Sequence, residues 1–313
     1  MLKTHELNFF NDIYENTYFN HLYDIMYGGF ADGVNERTGV ATKRLPGIIF
    51  RIDVAKEFPI LRSKKVFWKS AIHEILWIMQ KQSNNIHDLK PHIWDEWANE
   101  DGSIGKSYGY QVGKPVTIKG KTYESQVHYV LDTLAADPTD RRCVITLWNV
   151  EDLNEMNLVP CCHTSTWNLD GGRLNCVLDQ RSGDFPYGVP FNTTQYAALM
   201  VMFAQHLSYV RNEKIEPGIL THVIADAHIY DRQYEGVKKQ IAQFKYLYNG
   251  IFNEELTDKD FDTYSKENDA NKIVASKPEF IVPLKNFFEL TIDDIELRNY
   301  ESMPKVDFGD VVV

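Results

Sequence analysis

The sequence predicts one α+β domain, and three observations carry that prediction. Apolar residues recur every three or four positions in several long segments, which is the period of amphipathic helices. Other segments alternate apolar and polar residues, as half-buried strands do, and two of them are joined by Gly171-Gly172. No repeat, low-complexity linker or change of composition divides the chain, so we expect a single domain over residues 1–313.

The helices are predicted from this spacing and from their stop signals. Gly28-Gly29 ends the first helix, and Asp137-Pro138 ends the one around residue 130, because glycine and proline interrupt helical hydrogen bonding. The predicted helices cover residues 9–26, 66–80, 127–134, 192–207 and 232–244.

The strands are predicted from alternation. Residues 48–54 place apolar side chains on one face and Arg51 and Asp53 on the other. Asp226, His228 and Tyr230 alternate in the same way. Further strands are predicted at 143–148, 164–170, 173–179 and 287–292, and the polar segment 253–272 is predicted to be a solvated loop.

Composition excludes some classes of protein. The chain has 33 Lys and Arg against 44 Asp and Glu, a net charge of −11. This balance argues against a protein that coats nucleic acid, although it permits a local basic pocket for a small anion. No stretch approaches the roughly eighteen apolar residues of a membrane span, so we expect no membrane association.

The cysteines indicate a reducing compartment. Cys143, Cys161, Cys162 and Cys176 lie in one central stretch, and two of them are adjacent. This spacing suits neither a disulfide framework nor a zinc site. We therefore expect a cytoplasmic protein with no bound metal.

Individually, the candidate functional residues have ordinary explanations. A lone cysteine such as Cys161 usually fills a core, Ser182 is a typical turn residue, and Asn192 is a typical helix cap. Arginines near a cysteine nevertheless favour a thiolate. Arginine also has the planar shape that pairs best with phosphate.

The combination of motifs is far more specific than any one of them, and it resembles the thymidylate synthase family. The resemblance runs from about Arg37 to Val313. It rests on Arg37-Thr38-Gly39, Lys64, His73-Glu74-Ile75-Leu76-Trp77, Ile93-Trp94-Asp95-Glu96-Trp97, Tyr108-Gly109, Arg141-Arg142, Pro160-Cys161, Gln180-Arg181-Ser182-x-Asp184, Gly188-x-Pro190-Phe191-Asn192 and Asp226-x-His228-x-Tyr230, in that order.

The resemblance implies a fold, an assembly and a reaction. The fold would be a mixed twisted sheet flanked by helices. Two copies would dimerise through the backs of their sheets, with Arg141 and Arg142 reaching the partner's phosphate site. The enzyme would be a methyltransferase that converts dUMP to dTMP, with 5,10-methylenetetrahydrofolate as carbon donor and reductant and dihydrofolate as the second product. No metal, flavin or nicotinamide cofactor, and no nucleic-acid partner, is implied.

The resemblance also implies roles for individual residues. Cys161, twenty residues before Arg181, would add to carbon 6 of uracil as the nucleophile. Asn192 would read the pyrimidine edge, Glu74 would be the general acid–base acting through water, and Tyr108 would lie near the carbon 5 proton. The implied catalytic residues are Cys161, Glu74, Tyr108, Asn192, Asp184 and Arg181.

Two binding sets follow from the same resemblance. The phosphate of dUMP would meet the arginines and Ser182, and the deoxyribose hydroxyl would meet His228 and Tyr230. The set for dUMP is Arg37, Arg141, Arg142, Arg181, Ser182, Asp184, Asn192, His228 and Tyr230. The set for the folate is Lys64, Ile93, Trp94, Trp97, Leu158, Asp184, Gly188, Phe191 and Val313, with Lys64 at the glutamate tail and Val313 closing over the ligands.

The sequence differs from the family's pattern at two places, and three alternative functions remain open. Cys162 stands where many relatives have histidine, and Phe185-Pro186-Tyr187 replaces a more aliphatic stretch. The nearest alternative is a dUMP hydroxymethylase that delivers water instead of hydride. The others are a cysteine hydrolase using Cys161 with His163 or His228, and a non-catalytic nucleotide-binding protein.

Overall fold

The computed structural model describes residues 13–31, 34, 39–248 and 270–309. The helices in this part of the chain are α1 (Ile13–Tyr23), α2 (Trp68–Leu76), α3 (Gly109–Val112), α4 (Gln126–Ala136), α5 (Gly188–Arg211), α6 (Tyr234–Leu247) and α7 (Ala270–Ala275). The strands are β1 (Phe30–Ala31), β2 (Thr42–Asp53), β3 (Val116–Ile118), β4 (Lys121–Tyr123), β5 (Val144–Thr146), β6 (Cys162–Asp170), β7 (Arg173–Gln180), β8 (Gly183–Asp184), β9 (Glu216–Tyr230), β10 (Glu279–Ile281) and β11 (Glu296–Arg298).

The main sheet is mixed, as the resemblance implied. Its strands lie in the order β1-β2-β9-β7-β6-β5, and β8 pairs with β9. Strands β7 and β8 run parallel to β9, whereas β2 runs antiparallel to it. The hairpin predicted at Gly171-Gly172 joins β6 to β7. Both glycines have positive φ values of 55° and 75°, which other residues rarely adopt.

One face of the sheet forms the core. On β2, Ile48, Phe50 and Ile52 are buried while Ile49 is 53% exposed, which confirms the predicted alternation. Phe50 is paired in register with His222 of β9, which is also fully buried. The opposite face is open to solvent at β2.

Helix α5 is the central helix of the fold. Most of its residues are buried, so the helix is covered by the rest of the protein on nearly every side. It packs on the sheet, where Phe203 lies 4.8 Å from Trp167 between ring centroids, and it also packs against α2. This arrangement places the first turns of α5, with Asn192, next to α2, which carries Glu74.

A buried hydrogen-bonded cluster ties the chain's first helix to the loop before α2. The Glu15 carboxylate of α1 accepts hydrogen bonds from the backbone N–H groups of Arg62 and Ser63, at 2.6 and 2.9 Å. The Arg62 guanidinium donates to the carbonyls of Val274 and Ser276, both at 2.9 Å, so it caps the end of α7. The loop that carries Lys64 is therefore held from two sides.

Two predicted segments, 287–292 and 253–272, do not match the described structure in full. The strand predicted at 287–292 is wrong: the chain forms short 3₁₀ turns at Phe287–Glu289 and Ile292–Asp294. Asn286 accepts a hydrogen bond from the backbone N–H of Phe288 at 3.1 Å, and this local cap competes with strand pairing. Of the loop predicted at 253–272, residues 253–269 lie outside the described residues, and Ala270 already begins α7.

Among the residues that the structure describes, no helix is both long enough and apolar enough to span a bilayer.

Candidate active site

One pocket gathers the predicted nucleophile, general acid–base, tyrosine and pyrimidine reader. The empty space between its walls, including the part open to solvent, is about 350 Å³. Strand β6, helix α2, the start of α3 and the start of α5 each contribute to its wall. The lining residues are Glu74, Ile75, Ile78, Met79, Tyr108, Leu147, Cys161, Cys162, Asn192, Gln195 and Tyr196.

Cys161 lies beside a cation at the edge of this pocket. Its side chain is partly exposed, and Arg181 Nη2 lies 3.9 Å from its sulfur. The guanidinium is itself held by the carbonyls of Pro160 at 3.0 Å and Val159 at 2.8 Å. A fixed positive charge beside the sulfur is the environment in which a thiolate nucleophile forms.

Glu74 has the environment of a general acid–base. The residue is 9% exposed, and burial raises its pKa from 4.5 to about 7, opposed only partly by hydrogen bonds from Gln195 and Trp94. A carboxyl with this pKa can both hold and release a proton near neutral pH.

Tyr108 is held in a rare backbone conformation. Its φ is 41° and its ψ is −101°, outside the regions that residues other than glycine favour. The next residue is Gly109, where a Cβ atom would lie 2.0 Å from the carbonyl oxygen of Ser83. This close approach aims the Tyr108 hydroxyl at Cys161, whose backbone N–H donates to it at 3.2 Å. Burial raises the pKa of Tyr108, so the phenol stays protonated.

Asn192 is held between two glutamines. Gln180 Nε2 donates to Asn192 Oδ1 at 3.3 Å, and Asn192 Nδ2 donates to Gln195 Oε1 at 3.1 Å. The amide therefore has one defined orientation in the pocket.

The residues predicted for the deoxyribose lie on β9. His228 is buried, its Nδ1 lies 3.7 Å from the carboxylate of Asp226, and its ring packs edge-on against Tyr230 at 4.9 Å. Its carbonyl accepts a hydrogen bond from the backbone N–H of Phe185 at 2.8 Å. Ser182 is partly buried, directly between β7 and β8. These groups border the segment that contains Asp184.

The loop that follows Asp184 is held by hydrogen bonds from Gln233 and from Tyr18 of α1. Gln233 Nε2 donates to Asp184 Oδ2 at 2.8 Å, and burial raises the pKa of this carboxyl. The hydroxyl of Tyr18 donates to the carbonyl of Phe185 at 3.2 Å, and the two rings stack at 4.8 Å. Helix α1 thus supports the Phe185-Pro186-Tyr187 stretch that distinguishes this chain.

Lys64 is turned inward. Its Nζ donates to the carbonyl of Pro186 and lies 4.7 Å from the centre of the Phe308 ring. Burial lowers its pKa to about 7, opposed in part by Asp184. The tail segment that carries Phe308 therefore covers the lysine assigned to the folate's glutamate tail.

Trp94 packs against both Tyr108 and another predicted folate residue, Trp97. Its ring lies edge-on to Tyr108 at 4.9 Å and to Trp97 at 5.5 Å. The Trp94 side chain is buried, and its predicted neighbours Ile93, Trp97, Leu158, Gly188 and Phe191 are all partly buried.

The predicted phosphate arginines are only partly placed. Arg141 and Arg142 are exposed in the turn before β5, and Arg142 pairs with Asp140. They lie on the open surface of the chain. Arg37 and Val313 lie outside the described residues.

The sequence interpretation assigned no role to several groups that shape the site: Gln180, Gln195, Tyr196 and Tyr18. Gln195 follows Asn192 by three residues on a helix, and that spacing puts both on one face, which was an available signal. Gln180 was quoted only as part of a motif. Tyr18 offered no signal, since its contact is with a residue 167 positions away.

This geometry does not support a cysteine hydrolase that uses Cys161 with a histidine. His163 Nδ1 lies 2.9 Å from Thr164 Oγ1, and its ring packs against Trp148. The described residues that line the pocket of Cys161 include no histidine. Within the described ranges, no three His, Cys, Asp or Glu side chains are grouped as metal ligands.

Comparisons with known proteins agree on one family. A family model described as thymidylate synthase matches residues 16–312. A thymidylate synthase from Clostridium beijerinckii is 39% identical over 292 residues, covering 92% of this chain and 95% of that protein. One from Bacillus licheniformis is 38% identical over 257 residues, covering 80% of each chain.

A solved structure agrees as well. The thermostable thymidylate synthase A from Bacillus subtilis superimposes with a TM-score of 0.77 at 32% identity, covering 94% of this chain and 98% of that one. The fold and the family predicted from the ordered motifs are thereby confirmed. This chain belongs to the thymidylate synthase family.

Proposed function

We propose that this enzyme methylates dUMP reductively to dTMP, with 5,10-methylenetetrahydrofolate as the one-carbon donor and reductant and dihydrofolate as the second product. The observation that carries the proposal is the convergence of Cys161, Glu74, Tyr108 and Asn192 on one pocket, with Arg181 beside the sulfur. These are the groups that addition to a uracil ring requires.

The first step is addition of the Cys161 thiolate to carbon 6 of uracil. The new carbon–sulfur bond moves the electron pair of the 5,6 double bond toward carbon 5 and the carbonyl at carbon 4, which makes carbon 5 nucleophilic. Arg181 stabilises the thiolate before attack and, together with Ser182 and Arg37, is proposed to hold the 5′-phosphate. The charge that develops at the ring carbonyl requires donors already in place, and the Asn192 amide is one.

Glu74 and Tyr108 manage the protons. With a pKa near 7, Glu74 can give a proton to the folate ring nitrogen through water and later accept one. The Tyr108 hydroxyl lies against the backbone of Cys161 and so borders the atoms where the carbon 5 proton must leave. Elimination of the Cys161 thiolate restores the double bond and frees the nucleotide.

The residues around Trp94 fit a flat, partly polar co-substrate. The side chains that offer an aromatic and apolar wall are those of Trp94, Trp97, Ile93, Leu158 and Phe191. The partly buried Asp184 carboxyl offers a hydrogen-bond acceptor at the edge of this wall. The bound folate supplies the one-carbon unit and then the hydride. The chain's own task there is to orient the pterin and to exclude water, to which the tail ending in Val313 would contribute.

We also propose a homodimer. The open face of the main sheet presents Ile49 and Arg51 of β2 to solvent, and the segment after β5, at the other end of the strand order, exposes Trp148 and Val150. Such a half-apolar sheet face is typical of a covered interface. Docking two of these faces would bring Arg141 and Arg142 of each subunit toward the phosphate site of the other. In the described part of the chain none of the four cysteines forms a disulfide, which suits a reducing cytoplasm.

The test is a product assay. Purified protein is mixed with dUMP and 5,10-methylenetetrahydrofolate, and dihydrofolate is followed by its near-ultraviolet absorbance. The mass of the nucleotide product is measured by mass spectrometry. Dihydrofolate and dTMP formed in equal amounts support the proposal, with Cys161→Ser as the inactive control. A nucleotide heavier by one hydroxymethyl group, without dihydrofolate, would show that water replaces hydride.

A further inference from the structure

The backbone conformation of Tyr108 needs support from the structure around it. Its φ of 41° and ψ of −101° are unfavourable for a residue with a side chain, and such a conformation persists only where neighbouring contacts hold it. The close approach of Gly109 to the backbone of Ser83 holds one side of this residue. The Tyr108 hydroxyl keeps its place against the backbone N–H of Cys161 only if the chain is held on the other side as well.

A single carboxylate, that of Asp152, binds groups from both sides of Tyr108. Lys106, two residues before the tyrosine, donates from Nζ to Asp152 Oδ1 at 3.1 Å. Gln111, three residues after the tyrosine, donates from Nε2 to Asp152 Oδ2 at 2.9 Å. The ammonium of Lys114 donates to the same oxygen as Gln111. The chain before and after Tyr108 is therefore tied to one point.

Gln111 of α3 links the two sides of Tyr108 to each other as well. Its Nε2 also donates to the backbone carbonyl of Lys106 at 2.8 Å, so one amide group reaches both Lys106 and Asp152. Gln111 is 2% exposed and Asp152 is 7% exposed. Because water has little access to these groups, a lost hydrogen bond at the carboxylate is not readily replaced.

Asp152 lies on the segment of the chain that leads to the nucleophile. It belongs to the 3₁₀ turn Val150–Glu155 and precedes Cys161 by nine residues. A second contact joins the same two segments, because Ser107 Oγ donates to the backbone carbonyl of Leu158 at 3.0 Å. The segment that carries the tyrosine and the segment that ends in the nucleophile are thus held together at more than one point.

We propose that Asp152 is a positioning residue for removal of the carbon 5 proton, because it ties both sides of Tyr108 to the segment that leads to Cys161 and so keeps the Tyr108 hydroxyl at the nucleophile. The inference rests on the proposed function and deepens it. Among the described residues, those that line the pocket do not include Asp152, so it acts through Tyr108.

The step concerned comes after the one-carbon unit has joined carbon 5. The carbon–hydrogen bond at carbon 5 breaks, its electron pair moves toward the carbonyl at carbon 4, and the proton passes to a water held at the Tyr108 hydroxyl. The electron pair then forms the double bond from carbon 5 to the one-carbon unit and expels the folate, whose nitrogen takes a proton. The earlier addition of Cys161 needs no base at this position, so a displaced Tyr108 should delay only the later step.

The charge of Asp152 makes the effect independent of pH. Hydrogen bonds from Lys114 and Gln111 hold the pKa of the Asp152 carboxyl well below its usual range, so it is ionised at every working pH. The loss of turnover in Asp152→Asn should therefore be the same at pH 6 and at pH 9. A loss that acted through Glu74, whose pKa is about 7, would change between these values.

The experiment denatures the protein rapidly during turnover and measures the mass of the intact chain, for the parent protein, Asp152→Asn and Tyr108→Phe. A chain that carries both dUMP and the folate has not yet lost the carbon 5 proton, whereas a chain that carries only the nucleotide and the one-carbon unit has lost it. Asp152→Asn should accumulate the adduct with both ligands, as Tyr108→Phe should. Its kcat should fall about 10- to 100-fold, the effect of displacing a catalytic group by ~1 Å, while the Kd for dUMP matches that of the parent.

Two further variants separate positioning from general damage. Glu155→Gln alters the other carboxylate that Lys106 contacts, at 2.7 Å, but this side chain is exposed, so the variant should behave like the parent. Gln111→Leu keeps the carboxylate and removes the amide that joins it to Lys106, so the same adduct should accumulate. Gln111→Leu carries the test if Asp152→Asn does not fold.

The outcomes are distinct. Accumulation of the adduct with both ligands in Asp152→Asn and Gln111→Leu, with dUMP binding intact and Glu155→Gln like the parent, supports the inference. Parent-like turnover, or slower turnover without this adduct, would overturn it and leave the proposed function intact, because the cluster would then serve only the fold. A parent protein that forms neither a covalent adduct nor dTMP would overturn both.

Discussion

Replacing Glu74 by glutamine should make the protein more stable at alkaline pH while it removes activity. Glu74 is only 9% exposed, and burial raises the pKa of its carboxyl from 4.5 to about 7. Between those two values the folded chain binds a proton that the unfolded chain releases. Stability is therefore full below the unfolded pKa and falls as the pH rises through 7.

The size of the effect follows from the two pKa values. At ~1.4 kcal/mol for each tenfold difference, the ionised Glu74 lowers the free energy of unfolding by about 3 kcal/mol at pH 8. Glutamine has the same shape, carries no charge and can still hydrogen-bond with Gln195 and Trp94. We expect Glu74→Gln to exceed the parent protein by up to about 3 kcal/mol at pH 8 and by only about 1 kcal/mol at pH 5.

The assay is urea unfolding at pH 5, 6, 7 and 8, at one protein concentration because a dimer's stability depends on it. Turnover should fall by about 10²- to 10⁴-fold, the usual contribution of a general acid–base. Glu151→Gln, at an exposed site, is the matched control and should stay within about 0.5 kcal/mol of the parent at every pH. A stability difference for Glu74→Gln that does not change with pH would refute the reasoning.

Two further predictions follow from contacts outside the pocket. Tyr18→Phe keeps the ring stacked on Phe185 but removes the hydrogen bond to the Phe185 carbonyl. The KM for the folate should therefore rise about fivefold, while the KM for dUMP stays constant. Parallel changes in both KM values would contradict this prediction. Arg62→Met removes the cap of α7 and the cation beside Glu15, so the free energy of unfolding measured in urea should fall by about 3 kcal/mol. A fall of less than about 1 kcal/mol would mean that this cluster contributes little to stability.

Much of the fold could be predicted because its signals are local. The alternation at 48–54 depends only on the two-residue period of a strand, and the structure buries the predicted face of β2. The hairpin at Gly171-Gly172 depends only on turn chemistry. The 3₁₀ turns at 287–294 were mistaken for a strand because their apolar residues suit either structure, and the caps at Asn286 and Thr291 decide between them.

The candidate site could be predicted residue by residue only where motifs stand together in the sequence. The positioning of Asn192 by Gln180 and Gln195 could not be predicted, because it requires β7 and α5 to meet in space and two backbone carbonyls to point at the glutamines. The burial of Lys64 could not be predicted from the sequence either. It depends on the tail returning across the molecule to place Phe308 against the lysine.

The central claim is that Cys161 attacks carbon 6 of dUMP, and trapping the adduct tests it most directly. With fluorine at carbon 5, no proton can leave after addition, so 5-fluoro-dUMP and 5,10-methylenetetrahydrofolate should stay attached to the nucleophile. Intact-protein mass spectrometry should show a mass increase equal to both ligands, mapped by peptide digestion to Cys161 and absent in Cys161→Ser. Attachment at Cys162, or no mass increase, would contradict the account.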